Sequence, residues 1–418
     1  MTPAVPRFYG WQVVTAAVVG AALSPATLVN VPFSLFIPAL ETEFHWTRST
    51  ITAALSVFLS LLVVSLPLAG RLVDRVGARR VALPSVLAYG LALASVAFVT
   101  PAPAHFYAHY GAIAVLGAGA QSLTFVRVLS TWFERRRGLM IGACMAGFGL
   151  GYVLVPLATQ AMIGAWGWRA AYAGLGALAV CGTLPVIALL LHDTPAALGL
   201  PPGDGTTAHR EPPDRAPVPR LAEALRTREF WLLAAIFVLM SAALNGVQAQ
   251  LVPLLTDRGL SAATAALMLS AVGVGSFPGR LIVGAMLDRV FAPFIAAACF
   301  GLSALALLWL ADGHALVVGV AFAAIAVGLS LGAENDILGY LTGRYFSLAC
   351  FGRVYGALMS AYLLGAAVGP YAMARAYAYA GSYAVALRGG AAAIVVACAL
   401  LFLLRRYSLG GSPNAATH

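Results

Sequence analysis

Twelve long apolar segments run through this chain of 418 residues and limit what it can fold into. Each is close to or above the roughly 20 residues with which an α-helix crosses the hydrocarbon core of a bilayer. The sequence therefore predicts an all-α membrane protein with twelve transmembrane helices. The segments run near 11–39, 49–69, 81–100, 106–131, 138–163, 170–191, 230–256, 262–287, 292–311, 315–341, 353–378 and 384–404.

The overall composition agrees with a membrane location. Hydrophobic residues make up 61% of the chain and charged residues only 10%, with a mean hydropathy of +0.89. A soluble domain carries roughly 25% charged residues. The net charge of +10 would suggest nucleic-acid binding in a soluble protein. Here it is better explained by basic residues in cytoplasmic loops, so we expect the lipid bilayer as a partner and no nucleic acid.

Arginine is concentrated in alternate loops, and this asymmetry predicts the orientation of the chain. One set of loops contains many arginines, and the other set contains few. The rich set holds Arg75, Arg79, Arg80, Arg135, Arg136, Arg137, Arg289, Arg344, Arg353, Arg405, Arg406 and the arginines of 193–229. The poor set holds Arg48, Arg169 and Arg258, with Arg375 and Arg388 near helix ends. Both termini are therefore expected in the cytoplasm.

The chain repeats itself weakly at an offset of 214 residues. The charged loop Gly70-Arg71-Leu72-Val73-Asp74-Arg75-Val76-Gly77-Ala78-Arg79-Arg80 has an echo at 284–290. At the same offset Gly138 falls on Gly352, and Gly167 falls on Gly381. Corresponding loops thus lie at corresponding places, which predicts two pseudo-symmetric halves of six helices each.

A polar stretch separates the two halves. It contains several prolines, glycines and arginines, a composition typical of a linker. We predict an N-terminal six-helix half at 1–192, a cytoplasmic linker at 193–229 and a C-terminal six-helix half at 230–418. Two similar halves with a binding site between them are typical of secondary transporters.

The loop at 70–80, the twelve segments and the central linker resemble the major facilitator superfamily of transporters. Shorter motifs are similar to bacterial members of the monocarboxylate transporter family, to which the oxalate/formate antiporters are related. These motifs are 7–11, 195–205, Gly279-Arg280-Leu281, Gly332-Ala333-Glu334-Asn335-Asp336 and Arg344-Tyr345-Phe346. The resemblance implies a monomer in the bacterial cytoplasmic (inner) membrane. It also implies transport of a small carboxylate with a proton by alternating access, driven by the proton gradient without a cofactor.

Arg280 is the main candidate for substrate contact. An ionisable residue deep in a span is costly and suggests function. Arg280 precedes Asp288 by eight residues, which places it about 12 Å from the cytoplasmic loop. Its planar guanidinium matches a carboxylate, and the resemblance implies that it binds the substrate carboxylate. An internal salt bridge within the same half is the alternative.

Glu334 and Asp336 are the candidates for proton coupling. Glu334 precedes Arg344 by ten residues, a depth of about 15 Å. Asp336 lies two positions further and therefore on another helix face. We favour Glu334 as the proton carrier, with a structural ion pair as the alternative. The relatives often have an Asp four residues before the arginine that corresponds to Arg280, and this chain has Ser276 there. Because that Asp is missing, proton coupling depends all the more on Glu334 or Asp336.

Further polar and aromatic side chains complete the predicted substrate pocket. They are Asn30, Gln121, Tyr152, Asn245, Gln248, Gln250, Tyr355 and Tyr362. Gln250 stands where related bacterial sequences often have His, and an amide cannot titrate near neutral pH. Each of these residues has helix–helix hydrogen bonding as its alternative role. The eleventh segment has no interior cation except Arg375 near its end, which favours a monoanion over a dicarboxylate.

Charged loop residues are predicted to act as gating residues that pair across the two halves. They are Asp74, Arg71, Arg75, Arg79, Glu134 and Asp288. Orientation and lipid anchoring by arginine is the alternative. Arg127 either attracts anions at the inner mouth or snorkels at a helix end. Glycines in the fifth and eleventh segments, among them Gly147, Gly151, Gly365 and Gly369, offer surfaces for close helix approach.

Other function classes fit less well. The histidines are scattered over loops and ends, and the cysteines have no metal-ligand spacing, so we expect neither an enzyme nor a metal site. Proton-driven antiport of drugs or other organic solutes is the main alternative to symport of a monocarboxylate such as lactate, pyruvate or another short aliphatic or aromatic acid. It predicts that transport tolerates the loss of Arg280.

Overall fold

A computed structural model describes residues 9–133, 137–198, 221–287, 289–313, 316–346 and 351–405, and none of these residues forms a β-strand. The α-helices are α1 (Gly10–Ala22), α2 (Phe33–Phe44), α3 (Arg48–Val76), α4 (Ala78–Ser95), α5 (Pro103–Gly117), α6 (Ser122–Trp132), α7 (Arg137–Ala177), α8 (Leu184–Leu190), α9 (Leu221–Ala224), α10 (Arg228–Thr256), α11 (Ala262–Leu287), α12 (Ala292–Ala311), α13 (Val317–Tyr345), α14 (Phe351–Ala380) and α15 (Ala384–Phe402). Residues Glu134 and Asp288, two of the predicted gating residues, lie outside the described residues.

Eleven helical stretches of the described chain are long and apolar enough to cross a membrane. One of them, Leu139–Leu190, has 52 residues, which corresponds to about 78 Å of helix and exceeds a core of roughly 30 Å. The backbone leaves the helical conformation inside it at Gly167, where φ is 83° and ψ is 168°. Gly167 thus divides this stretch into two spans, and the prediction of twelve membrane helices is confirmed.

The same backbone device recurs at the equivalent place in the second repeat. Gly381, between α14 and α15, also has a positive φ, of 66°. Nothing lies within 4 Å of the position that a Cβ would take at Gly167 or Gly381. Glycine is therefore required at both turns by the left-handed backbone rather than by lack of space.

The first membrane span is interrupted. After α1, Pro25 precedes a π-helical turn at Ala26–Asn30, and α2 begins only at Phe33. The Thr27 hydroxyl donates to the carbonyl oxygen of Ala22 at 2.7 Å, which satisfies an acceptor that the break would leave exposed. The span thus consists of separate helical pieces rather than one rod.

The described chain forms two compact units. Unit 1 contains residues from 1–32 and 64–210, and unit 2 contains residues from 33–63 and 211–418. The segment 33–63, which holds α2 and the first half of α3, therefore packs with the second part of the chain. The predicted halves at 1–192 and 230–418 follow chain order, and that division stays a prediction.

Glycines allow close helix packing inside each unit. In unit 1, a Cβ at Gly147 or Gly151 of α7 would overlap a carbonyl oxygen of α1. In unit 2, a Cβ at Gly365 or Gly369 of α14 would overlap a carbonyl oxygen of α10. Because lipid removes the hydrophobic driving force between helices, such backbone-to-backbone contact is a main source of their association.

Replacing Gly167 by Ala should lower the melting temperature of the purified protein, because an L-residue with a Cβ at this φ costs roughly 1–2 kcal/mol. Gly164→Ala is the matched control. Gly164 lies in the same stretch, has open space around a Cβ and does not have a positive φ. Its replacement should be neutral or slightly stabilising. Equal melting temperatures for the two variants, measured by intrinsic fluorescence, would contradict the role assigned to Gly167.

Candidate substrate-binding site

The eighth and tenth membrane spans, α11 and α13, meet through four glycines. A Cβ on any of these glycines would overlap a backbone carbonyl oxygen of the facing helix. The pairs are Gly275 with Ile325, Gly279 with Leu329, Gly328 with Val272 and Gly332 with Ser276. Each helix thus presents two glycines four residues apart, the spacing that allows two helix backbones to approach closely in a membrane.

This close contact positions the charged residues of the site. Arg280 directly follows Gly279 on α11, and Glu334 comes two residues after Gly332 on α13. The positive charge of Arg280 acts electrostatically on the carboxyl groups of Glu334 and Asp336 and on the phenol of Tyr355. Arg280, the predicted anion-binding residue, therefore lies within electrostatic range of both predicted proton-coupling residues in unit 2.

Arg280 is half-buried, and ion pairing in the described chain involves other arginines. Salt bridges found there include those that join Arg48, Arg127, Arg388 and Arg405 to carboxylates. Arg280 thus influences two carboxyl groups without a direct ion pair of 4 Å or less among the described residues. Its guanidinium keeps hydrogen-bonding capacity for a ligand.

Glu334 is the most deeply buried acidic residue of the described chain, with 1% of its surface exposed. Its Oε1 accepts a hydrogen bond from the hydroxyl of Tyr362 at 2.5 Å. Its Oε2 has no hydrogen-bond partner among the described residues. A buried carboxylate oxygen without a partner is costly, so this oxygen is suited to hold a proton or to meet a bound molecule.

Tyr362 joins three helices at this point. Its hydroxyl donates to Glu334 on α13, and its backbone carbonyl accepts from the Ser241 hydroxyl of α10 at 2.6 Å. Tyr362 itself belongs to α14. The glycines of α14 that contact α10 follow within two turns, at Gly365 and Gly369. Backbone contact and polar contact therefore act together to hold α10, α13 and α14 around Glu334.

A polar face of α10 continues from this junction. Ser241, Asn245 and Gln248 share one side of the helix by their spacing. Asn245 donates from Nδ2 to the carbonyl oxygen of Ser241 at 3.0 Å. Gln248 is 2% exposed, and neither its Oε1 nor its Nε2 has a partner among the described residues. Its amide therefore offers a donor and an acceptor in a buried position.

Gln250 is held by a different neighbour. Its Oε1 accepts a hydrogen bond from the Tyr383 hydroxyl at 2.9 Å, whereas its Nε2 lacks a partner in the described chain. Two residues along a helix differ by about 200° in direction. Gln250 and Gln248 therefore point to different sides of α10, and only one of them shares the face of Ser241.

Three predicted pocket residues belong to unit 1. Asn30 is half-buried in the π-helical turn of the first span, Gln121 is buried immediately before α6, and Tyr152 is half-buried on α7. Their participation in the site of unit 2 stays a prediction.

The predicted gating residues of unit 1 form contacts inside that unit. Asp74 forms a salt bridge with Arg127, which gives Arg127 a structural partner. The Arg79 guanidinium donates to the carbonyl oxygen of Ala188, and its backbone N–H donates to Asp193 Oδ1 at 2.8 Å. Arg71 and Arg75 are exposed. Pairing of these residues across the two halves stays a prediction.

A second charged cluster surrounds Arg48, which the sequence analysis placed only in a loop. Arg48 contacts Glu41, Asp257, Tyr377 and Tyr383, all within unit 2. We call these five residues the Arg48 cluster. The sequence gives one sign of this cluster, which is an arginine beside a helix start in the arginine-poor loops. It does not reveal the partners of Arg48, because they are up to 335 positions away along the chain.

Comparisons with known proteins agree with this architecture. The family model of the Major Facilitator Superfamily matches residues 17–370. Monocarboxylate transporter 11 of Homo sapiens is 29% identical over 382 residues, which cover 87% of this chain and 76% of the relative. The uncharacterized MFS-type transporter YhjX of Escherichia coli K12 is 24% identical over 354 residues, 80% of each chain.

A solved structure has the same fold. It is that of a bacterial homologue of the human lysosomal transporter Spinster in an inward-facing and unoccupied conformation. The TM-score is 0.71 at 16% sequence identity, and the match covers 96% of this chain and 97% of the other. This likeness confirms the predicted all-helical fold class.

Replacing Gly332 by Ala should destabilise the purified protein by about 1–3 kcal/mol, since the new methyl group would force α11 and α13 apart. Gly301→Ala on α12 is the matched control, because a Cβ there meets nothing within 4 Å. The measurement is the melting temperature in detergent. The same melting temperature for both variants would mean that the glycine contact does not determine helix spacing.

Proposed function

Since the chain belongs to the Major Facilitator Superfamily and is a membrane transporter, we propose that it carries a small organic monocarboxylate together with a proton. The substrate class is that of short aliphatic or aromatic acids. Transport proceeds by alternating access across a bacterial cytoplasmic membrane. The protein acts as a monomer with both termini in the cytoplasm, and it has no catalytic site.

The single observation that carries this proposal is Arg280, which lies in a membrane span within electrostatic range of two carboxyl groups. A guanidinium in such a position needs an anionic partner, because an isolated charge in low dielectric is costly. Its two-pronged geometry fits a carboxylate. Since the salt bridges of the described chain do not occupy Arg280, a substrate carboxylate is the partner that we assign to it.

Charge balance supports coupling to one proton. A monocarboxylate and a proton that bind together add no net charge to the site. Arg280 then pairs with the substrate, and the proton resides on Glu334 Oε2, which has no hydrogen-bond partner among the described residues. The site can be filled and emptied without leaving an additional unpaired charge in the membrane.

The relatives named as monocarboxylate transporters support the substrate class. Human monocarboxylate transporter 1 is 26% identical over 170 residues, which cover 41% of this chain.

Antiport of an organic cation or drug against protons is the second candidate. The buried Glu334, with one oxygen unpartnered, favours it, because such an acid could exchange a proton for a cationic solute. The two candidate functions differ in their need for Arg280. Transport of a carboxylate requires this residue, whereas antiport of a cation or drug does not.

Arg280→Ala should reduce uptake of the transported acid at least about 30-fold, which corresponds to the loss of about 2 kcal/mol of charge-assisted binding. Arg280→Lys keeps the positive charge but loses the two-pronged geometry of the guanidinium. Its uptake of the acid should lie between that of Arg280→Ala and that of the unmodified protein. The assay is uptake of a panel of labelled monocarboxylates into proteoliposomes under an inward proton gradient. Arg375→Ala, on an exposed arginine of α14, is the control.

Absence of acid uptake in the unmodified protein, with drug transport that survives Arg280→Ala, would overturn the carboxylate proposal and favour antiport. Normal acid uptake by Arg280→Ala would overturn only the role of Arg280 and would leave the carboxylate proposal standing.

Glu334→Gln should abolish accumulation driven by the proton gradient while exchange of internal for external substrate continues. The amide keeps an acceptor for Tyr362 but cannot carry a proton. Asp336→Asn, prepared in parallel, should retain gradient-driven accumulation. The opposite pattern, with accumulation lost only in Asp336→Asn, would transfer the coupling role to Asp336.

A further inference from the structure

Arg48, the first residue of α3, has an unusually complete set of partners. Its Nη1 and Nη2 donate to the two carboxylate oxygens of Asp257, at 2.5 and 2.8 Å. Its Nε donates to Glu41 Oε1 at 2.9 Å, and Nη1 also donates to the Tyr383 hydroxyl at 2.9 Å. The pair with Asp257 is the two-pronged arrangement that gives arginine–carboxylate contacts their strength and direction.

Aromatic rings complete the enclosure of Arg48. The guanidinium carbon lies 4.4 Å from the centre of the Tyr377 ring, and the Tyr377 and Tyr383 rings stack with centroids 4.4 Å apart. Only 10% of the Arg48 side chain is exposed. A guanidinium held between carboxylates and an aromatic face is well compensated for its loss of water.

The Arg48 cluster joins parts of the chain that are far apart in sequence. Glu41 and Arg48 come from the first and second spans, whereas Asp257, Tyr377 and Tyr383 come from the ends of the seventh, eleventh and twelfth spans. About two turns of helix further along α3, the contact continues, because the Ser56 hydroxyl donates to the carbonyl oxygen of Ala367 at 2.5 Å. These bonds bind the segment 33–63 into unit 2.

Another salt bridge in unit 2 makes a useful contrast. Arg388 pairs with Asp312 at 3.4 Å, and both side chains are about 60% exposed. Both residues belong to the last six predicted spans, so this pair links no part of the first two spans to the rest. An exposed, single-pronged pair of this kind contributes little to stability.

We propose that Arg48 is a gating residue whose bond to Asp257 closes the transporter at the end that the arginine distribution predicts to be outside, while Glu41 holds the guanidinium in place. This inference rests on the proposed alternating-access cycle, in which the six-helix halves separate at one end to admit substrate. Opening at this end requires the first two spans to leave the seventh, eleventh and twelfth. The Arg48 cluster is the polar contact that such a movement must break.

The chemistry of the cluster suits a contact that must be broken repeatedly. When the first two spans leave, Arg48 and the Asp257 carboxylate regain water where they had touched, and hydration offsets much of the lost attraction. The Tyr383 hydroxyl also extends the contact inward, since it accepts from Arg48 and donates to Gln250 on α10. The gate thus reaches the helix that carries the polar face of the candidate site.

The test is a distance measurement by pulsed electron paramagnetic resonance on the full-length protein without substrate. Spin labels are attached at Thr42 and Ala262, two exposed positions at this end, after the native cysteines have been replaced. Arg48→Ala should shift the distances toward longer values, because the open state gains population. Arg388→Ala, which removes the exposed pair, should leave the distribution of the unmodified protein unchanged.

Two further variants keep the test decisive if Arg48→Ala folds poorly. Asp257→Asn retains the arginine and should produce the same shift, and the charge-swapped variant R48D/D257R should restore part of the short-distance population. Unchanged distances in Arg48→Ala and Asp257→Asn, with monodisperse protein, would overturn the gating role. The measurement needs no transported acid, so a failed uptake assay would overturn the proposed substrate and leave this result intact.

Discussion

The close contact between α11 and α13 is the constraint on which the candidate site depends. Lipid offers helices no hydrophobic reason to associate, so the approach must come from packing of small residues. Four glycines provide it, and each leaves space that a facing carbonyl oxygen fills. Arg280 follows Gly279 and Glu334 lies two residues after Gly332, so the close helix contact brings the arginine within electrostatic range of the carboxyl group. The glycines therefore determine the spacing of α11 and α13, and with it the separation between the charged residues that these two helices carry.

Two arginines of unit 2 differ sharply in how their charges are satisfied, and the difference separates their roles. Arg48 donates to two carboxylates and a tyrosine and lies over an aromatic ring. Arg280 lies in a membrane span and influences two carboxyl groups through space, without belonging to the salt bridges of the described chain. A satisfied charge holds structure together until its partners move. Under the proposed function, Arg280 is the charge in a membrane span that keeps donors for the substrate carboxylate.

Much of the fold was predictable because membrane spans are signalled locally. A run of about 20 apolar residues identifies a helix without knowledge of its neighbours. The repeat was also visible, since Gly167 and Gly381 occupy equivalent places and both adopt a positive φ. Arg280 and Glu334 were identified by their depth, because charge in a span is rare, and by short motifs that resemble the monocarboxylate transporter family. Each of these features can be read from a short stretch of sequence or from the comparison of two such stretches.

The features that sequence reasoning missed depend on contacts between distant residues. Arg48 and Asp257 are 209 positions apart, and no periodicity connects them. The salt bridge of Asp74 with Arg127 spans 53 positions in the same way. The grouping of 33–63 with the second part of the chain follows from contacts such as that of Ser56 with Ala367. Patterns along the chain identify helix faces, but they do not identify which distant face is the partner.

Helix α14 connects the candidate site with the Arg48 cluster. Tyr362 on this helix bonds Glu334, and Tyr377, fifteen residues or about 22 Å further along, lies against Arg48. A continuous helix transmits a displacement at one end to the other unless something absorbs it. Pro370 lies between the two tyrosines and removes a backbone hydrogen bond at that point. Gly365 and Gly369 hold the helix to α10 directly before Pro370, so a bend at Pro370 would lie between this contact and the tyrosine that packs against Arg48.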